Sequence, residues 1–232
     1  MNNNPFDFRI GDLVLYKNNQ LIAFNKPPGV PVQTDKSGDA ALLNMGEIYC
    51  KSKLYLVHRI DRPASGVTLM AKNTTALAEL NRQFKEREVQ KTYLAVVGQL
   101  PAQTTGQLTH FLRKDGRINR TEAFDDEQPE SRKAILDYRL LASIERYHLL
   151  EINLHSGRHH QIRAQLAAIG SPIKGDDKYG FKRANRDRSI ELHAWKLTFV
   201  HPVSKEKTTL VAPPPEGPVW NAFREQLSLD QL

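Results

Sequence analysis

A single acidic residue, Asp61, stands between two arginines in the segment HRIDRPASG, residues 58–66. The apolar segment LYLV comes just before it, so we expect Asp61 to follow the end of a buried strand. Moving a carboxylate out of water costs free energy unless the group is paired or takes part in chemistry. A carboxylate can act as a nucleophile or as a base. Asp61 is therefore the first candidate catalytic residue.

The segment HSGRHHQIRAQLAAIG, residues 155–170, offers a partner for this carboxylate. Its apolar residues recur at helical spacing and a glycine ends the run, which predicts a short helix that begins near Ser156 or Gly157. Arg163 lies in this predicted helix, and a planar guanidinium can bind a carboxylate through two hydrogen bonds. Arg163 is then either a solvated helix residue or the group that holds Asp61.

The rest of the chain predicts an α+β fold. Hydrophobic patterns and turn residues predict a first hairpin within residues 12–29, further strands at 53–57, 66–72, 89–100, 131–143 and 146–155, and a late hairpin within 190–213. Helices are predicted at 39–50, 74–88 and 217–227. Many strands with few helices favour a mixed, mostly antiparallel sheet with flanking helices. We expect a flexible tail over residues 1–12 and one catalytic domain over 13–232.

The charge balance favours a polyanionic partner. The 232 residues include 33 Lys and Arg against 26 Asp and Glu, a net charge of +7. Basic side chains that neutralise phosphates release bound counterions, which favours binding to nucleic acid. Two basic segments, residues 110–120 and 181–188, are interpreted as solvated loops that could together form an RNA-facing rim.

Several functional classes are disfavoured by the sequence. The only cysteine is Cys50, which excludes a disulfide within the chain. The three histidines at 155, 159 and 160 have no nearby carboxylate or cysteine at ligand spacing, so we expect no metal site. No secretory signal and no apolar run of membrane-spanning length are present, and no heptad pattern appears. We expect a cytoplasmic protein, a monomer, without a membrane partner.

Four segments, in order, resemble the motifs of the RluA-type pseudouridine synthases, which isomerise uridine to pseudouridine in RNA. They are HRIDRPASGVTLMAK, KTYLAVVG, SGRHHQIRAQLAAIGSPIKGDDKYG and LHAWKLTFVHP. The resemblance extends over residues 12–203, nearly the whole chain. It implies an isomerase that acts on rRNA or tRNA without a cofactor.

The resemblance also implies roles for three catalytic residues. Asp61 would be the catalytic carboxylate, either as a nucleophile at C1′ of the ribose or as a base at C2′; both alternatives remain open. Arg163 would hold Asp61 in its charged form. Tyr93 would lie against the target base, and its hydroxyl would serve in proton transfer at C5.

A paired uridine is out of reach in an RNA helix, so the resemblance implies that it is flipped into the site. Arg59 would fill the space that the flipped base leaves. The residues expected to contact the RNA backbone are Arg62, Arg158, His160 and Gln161. Only twelve residues precede Leu13, so we expect no separate S4-type RNA-binding domain.

The sequence departs from the family pattern at four positions, Ile60, Ala64, His159 and Gln165. Because Asp61 and the other catalytic candidates are unchanged, these departures bear on substrate preference more than on chemistry.

Two other functions fit parts of the sequence. A non-catalytic RNA-binding protein would explain the positive charge, but it gives no reason for a carboxylate among arginines. A glycosidase would use Asp61 together with a second carboxylate. Asp176 and Asp177 are the available candidates, and we interpret both as turn residues in KGDDKYG.

Overall fold

A computed structural model of the protein describes residues 8–36 and 38–227. These residues form two compact units. The first unit contains the chain up to Gln90 together with Ala194–Pro214; the second contains Lys91–His193 and the residues from Pro215 onward. Residues 1–7 of the predicted tail lie outside the described part, and Ile10–Leu13 form a 3-10 helix. One domain over residues 13–232 stays a prediction.

The elements follow one another as expected for an α+β chain. The strands are β1 (Val14–Lys17), β2 (Leu21–Lys26), β3 (Tyr55–Leu56), β4 (Ser65–Ala71), β5 (Gln90–Val97), β6 (Thr105–Asp115), β7 (Arg120–Phe124), β8 (Arg132–Ile144), β9 (Tyr147–Leu154), β10 (Leu192–Val200) and β11 (Lys207–Val211). The helices are α1 (Leu42–Cys50), α2 (Thr74–Lys85), α3 (Gln161–Ala168) and α4 (Pro218–Leu227).

In the first unit, β2 pairs with β1 and with β4, β3 pairs with β4, and β10 pairs with β11, all antiparallel. The Asn73 side chain accepts a hydrogen bond from the Ala76 N–H, 2.8 Å away, and so caps α2. Apolar side chains of the strands and of α2 form one core, which includes Leu21, Leu69, Leu80, Leu197 and Phe199. The predicted amphipathic helix and first hairpin are confirmed.

In the second unit, five strands form an antiparallel order β5, β9, β8, β6, β7. Helix α3 packs on β6 and β7, and α4 packs on β8. The predicted mixed, mostly antiparallel sheet with flanking helices is confirmed by these pairings.

Three local predictions were wrong. The basic segment 110–120 is not a loop, because most of it belongs to the β6–β7 hairpin. The strand expected at 53–57 is limited to Tyr55–Leu56 and is only half-buried. Helix α3 begins at Gln161 rather than near Ser156, because His160 adopts a left-handed conformation (φ 50°) just before it and the Gln161 N–H bonds to the Arg158 carbonyl, 3.1 Å away.

Among the described residues, no helix is both long enough and apolar enough to cross a lipid bilayer.

A buried lysine ties the end of β2 to the loop that carries Asp61. The Lys26 side chain is fully buried, and its Nζ donates to the carbonyls of Pro27, Val30 and Arg62 at 2.9, 2.8 and 3.0 Å. Three acceptors match the three hydrogens of an ammonium. The Arg62 carbonyl also accepts from the Gly29 N–H at 2.9 Å. The loop before β4 is therefore fixed to the turn after β2.

Burial acts against the charge of this ammonium. Desolvation lowers the pKa of Lys26 from 10.5 to about 7, the nearby Asp61 charge opposes that shift, and Arg62 adds to it. The loop that carries Asp61 is thus supported by Lys26, whose charge is sensitive to pH near neutrality.

Gly66, the second residue of β4, lies so close to the backbone of Ala194 that a side chain has no room there. Its φ is +114°, and a Cβ there would lie 2.2 Å from the Ala194 carbonyl oxygen. Backbone atoms at this distance cannot yield as a flexible side chain can.

We expect Gly66→Ala to lower the free energy of unfolding by about 2–4 kcal/mol, because it adds both a steric clash and a strained φ. The measurement is chemical denaturation of the purified variant. Gly116→Ala is the matched control, because a Cβ at Gly116 meets nothing within 4 Å. Equal stabilities of the two variants would contradict the expectation.

The lowered pKa of Lys26 predicts a pH dependence of stability. Between about pH 7 and 10.5 the unfolded chain binds more protons at this lysine than the folded chain, so the free energy of unfolding should rise with pH in that window. The wild type should gain up to about 1.4 kcal/mol per pH unit relative to Lys26→Met. Denaturation of both proteins at several pH values from 7 to 10 measures this difference; a difference independent of pH would rule out the lowered pKa.

Candidate active site

Asp61 lies in a turn between β3 and β4. Its carbonyl accepts a hydrogen bond from the Ala64 N–H, 3.1 Å away, which closes the turn over Arg62 and Pro63. Asp61 is half-buried. Lys26 stabilises this turn, because its Nζ donates a hydrogen bond to the Arg62 carbonyl, 3.0 Å away. A carboxylate held on a fixed turn, half open to solvent and influenced by a buried ammonium, has the placement that a nucleophile or base requires.

Arg62 uses its own side chain to support the same turn. Its Nε donates to the Gly29 carbonyl at 2.9 Å, and its two terminal nitrogens pair with Asp35, at 3.2 Å, and with Asp39. Sequence analysis predicted an RNA contact for Arg62, and that contact stays a prediction. The side-chain contacts show Arg62 joining its own turn to the segment between β2 and α1.

His58, at the start of the same motif, fixes the chain before Asp61 against β4. Its Nε2 accepts a hydrogen bond from the Leu69 N–H at 3.0 Å, and its ring stacks on Phe84 with the centroids 5.3 Å apart. A ring nitrogen that accepts from an amide carries no proton, so His58 is neutral here with its hydrogen on Nδ1. Arg59, which follows it, is exposed.

In the second unit, Arg163 is buried, with 4% of its surface exposed. Its Nε and Nη2 donate to the two carboxylate oxygens of Asp176 at 2.7 and 2.9 Å. The solvated alternative for Arg163 is therefore wrong. The structure assigns it a partner, Asp176, that sequence analysis interpreted as a turn residue. Its pairing with Asp61 stays a prediction.

Tyr179 is a second neighbour of Arg163. The guanidinium carbon lies 4.9 Å from the centre of the Tyr179 ring, within the range of a cation–π interaction. The Tyr179 hydroxyl accepts from the Thr121 N–H at 2.8 Å and bonds to Nδ1 of His160 at 2.9 Å. Burial raises the pKa of Tyr179, so the hydroxyl keeps its proton. Neither Asp176 nor Tyr179 was predicted to be part of the site.

The residues before α3 hold the helix in place. Gln161 is buried, and its Oε1 accepts from the Ser156 hydroxyl at 2.9 Å and from the Arg158 N–H at 3.1 Å. Its Nε2 donates to the Ile135 carbonyl at 3.1 Å. His160 is likewise buried. Both side chains therefore take part in the support of α3, and the RNA contacts expected for Gln161 and His160 stay predictions.

Tyr93 lies on β5, opposite Ile152 of β9 in an antiparallel pair. Its side chain is half-buried, which suits a ring that offers one face to a ligand while the strand fixes its position. The predicted strand at this position is confirmed, and the role of Tyr93 stays a prediction.

Within the described residues, no group of three or more His, Cys, Asp or Glu side chains is arranged to hold a metal ion.

Comparison with known proteins identifies the family. The family model for RNA pseudouridylate synthase matches residues 20–168. A tRNA pseudouridine synthase C of Pasteurella multocida is 33% identical over 86% of this chain and 90% of its own length. A ribosomal large subunit pseudouridine synthase C of Rickettsia conorii is 35% identical over 74% of this chain but only 57% of its own length.

A solved structure agrees on the fold. Human RNA pseudouridylate synthase domain containing 4 superposes with a TM-score of 0.75 over 94% of each chain, at 22% identity. The matched range 20–168 contains Asp61, Tyr93 and Arg163. The chain therefore belongs to the RNA pseudouridylate synthase family, the enzymes that isomerise uridine to pseudouridine in RNA.

Proposed function

We propose that this chain converts a uridine of transfer RNA to pseudouridine, with Asp61, Tyr93 and Arg163 as its catalytic residues. The observation that carries the proposal is the family match over residues 20–168, which includes all three. Transfer RNA is preferred over ribosomal RNA because three relatives named for tRNA align over 89–91% of their length, whereas two named for the ribosomal large subunit align over 57%.

The reaction is an internal rearrangement. The N1–C1′ bond of uridine breaks, the base turns, a C5–C1′ bond forms, and the proton lost from C5 is balanced by one gained at N1. No atom is added and no electron is transferred to another molecule, so the reaction requires no cofactor. Asp61 either attacks C1′ or removes the C2′ proton, and each role requires the ionised carboxylate.

The placement of the described side chains supports these roles. Asp61 is half-buried on a turn that Lys26 and Arg62 brace, so its carboxylate is held in place without being sealed from solvent. Tyr93 is half-buried on a paired strand, so its ring can be offered to a flipped base. Arg163 is rigidly held by Asp176.

RNA would be held by basic residues near these positions. Arg59 is exposed in the loop before Asp61, and we assign it the filling of the space left by the flipped base. Arg158, partly exposed before α3, is assigned a phosphate contact. The enzyme would work as a monomer in the cytoplasm.

The direct test is incubation of the purified chain with unmodified tRNA and ribosomal RNA transcripts, followed by chemical mapping of pseudouridine. Pseudouridine in tRNA at unchanged RNA mass is the expected result. Modification of ribosomal RNA alone would replace the substrate assignment. Release of free sugar or base would point to a glycosidase, and binding without either product would point to a non-catalytic RNA-binding protein.

We expect Asp61→Asn to lower kcat by at least about 100-fold, because the amide can neither attack nor accept a proton as the carboxylate does. RNA affinity, measured by filter binding, should stay close to that of the wild type. Asp126→Asn, at an exposed loop position, is the matched control and should be fully active. Turnover by Asp61→Asn within a few-fold of the wild type would reject the catalytic assignment.

The two proposed uses of Tyr93 can be separated by substitution. Tyr93→Phe keeps the ring and removes the hydroxyl, so we expect kcat to fall about 100-fold or more if that oxygen moves the C5 proton. Tyr93→Leu should in addition weaken RNA binding, because the stacking surface is lost. Single-turnover kinetics measure both. Full activity of Tyr93→Phe would limit the residue to stacking.

A further inference from the structure

The GDDKYG segment contains two residues that act on Arg163. Asp176, with 1% of its surface exposed, binds Nε and Nη2 of Arg163 through both carboxylate oxygens. An arginine and an aspartate that are both buried cost free energy to desolvate, so the pair is stable only in well-matched geometry. Two parallel hydrogen bonds to a planar group fix the plane and the rotation of the guanidinium.

Tyr179 restricts the same guanidinium from its face. The ring centre lies 4.9 Å from the guanidinium carbon. The ring is itself fixed, because its hydroxyl is bonded to the Thr121 N–H of β7 and to His160 at the start of α3. Arg163 is thus held at one edge by Asp176 and on one face by Tyr179.

This arrangement leaves a defined direction for any further partner. Asp176 occupies the edge formed by Nε and Nη2, so another acceptor is left the two N–H groups of Nη1 and the second N–H of Nη2. A small rotation of the guanidinium would move these remaining N–H groups away from any acceptor that they contact.

We propose that Asp176 and Tyr179 are positioning residues for catalysis: they set the orientation in which Arg163 serves the reaction. The inference rests on the proposed function, since it assigns these two residues to the proposed role of Arg163. Asp177 is adjacent in sequence but differs in position: its side chain is 56% exposed, and it lies 3.6 Å from Arg188 at the surface.

Asp176→Asn keeps the shape of the side chain and removes its charge and one acceptor. We expect kcat for pseudouridine formation to fall about 10- to 100-fold, with KM for RNA changed less than about threefold, because misalignment affects the chemical step and not RNA binding. Asp177→Asn is the matched control and should keep kcat within about twofold. A wild-type kcat in folded Asp176→Asn would overturn the proposal.

A double-mutant cycle separates positioning from general support of the fold. If Asp176 acts through Arg163, then adding Asp176→Asn to Arg163→Met should change the remaining kcat less than about twofold. Losses that multiply in the double variant would show that Asp176 acts independently of Arg163, and they would overturn the proposal.

Tyr179 gives a second comparison. Tyr179→Phe keeps the ring beneath the guanidinium, so it should retain more kcat than Tyr179→Leu, which removes the ring. Equal kcat in these two variants would exclude a role for the ring face.

Circular dichroism and thermal unfolding establish whether each variant folds. If Asp176→Asn does not fold, Asp176→Glu decides the question, because it keeps the charge and displaces the carboxylate by one methylene. A folded Asp176→Glu with lowered kcat supports the proposal, and one with wild-type kcat overturns it. If the wild type itself forms no pseudouridine in any RNA tested, the proposed function fails and the inference fails with it; if only the variants are unaffected, the inference fails alone.

Discussion

The buried ion pair between Arg163 and Asp176 is the interaction on which the site of the second unit depends. Removal of either partner would leave an uncompensated charge in a buried position, which costs free energy. The pair links the first turn of α3 to the loop that follows it, and Tyr179 extends the link to β7 through the Thr121 N–H. The polar groups at the start of α3 are therefore one connected network, in which a change at one member alters the position of the others.

The first unit also contains a buried cation, Lys26, which fixes the position of the chain around it. Lys26 does not pair directly with a carboxylate in the way Arg163 does; it is satisfied by three backbone carbonyls. Because carbonyl oxygens belong to the backbone, this lysine fixes the course of the chain at Arg62, directly after Asp61, and in the turn after β2. A rigid backbone beside a carboxylate is a favourable arrangement for a group that must be aligned to react.

The sequence predicted what depends on local patterns. The hairpin around Asn18, the amphipathic α2 and the strand of Tyr93 follow from periodicity and turn residues. Asp176 was missed because its partner is thirteen residues away, and an aspartate after Gly175 fits a turn equally well. The turn does exist, since the Tyr179 N–H bonds to the Asp176 carbonyl at 3.1 Å. The Asp176 side chain in addition binds Arg163, which spacing does not reveal. The start of α3 was misplaced because spacing does not reveal the left-handed conformation of His160, which directly precedes the helix.

The division of the chain into units has a consequence for biosynthesis. The first unit takes its last strands, from Ala194 to Pro214, from a part of the chain that follows the whole of β5 to β9. A ribosome must therefore translate past residue 214 before that unit has all its strands, while most of the intervening unit has already emerged. Folding of the first unit during translation is necessarily late, and no single cut in the polypeptide separates the two units as intact pieces.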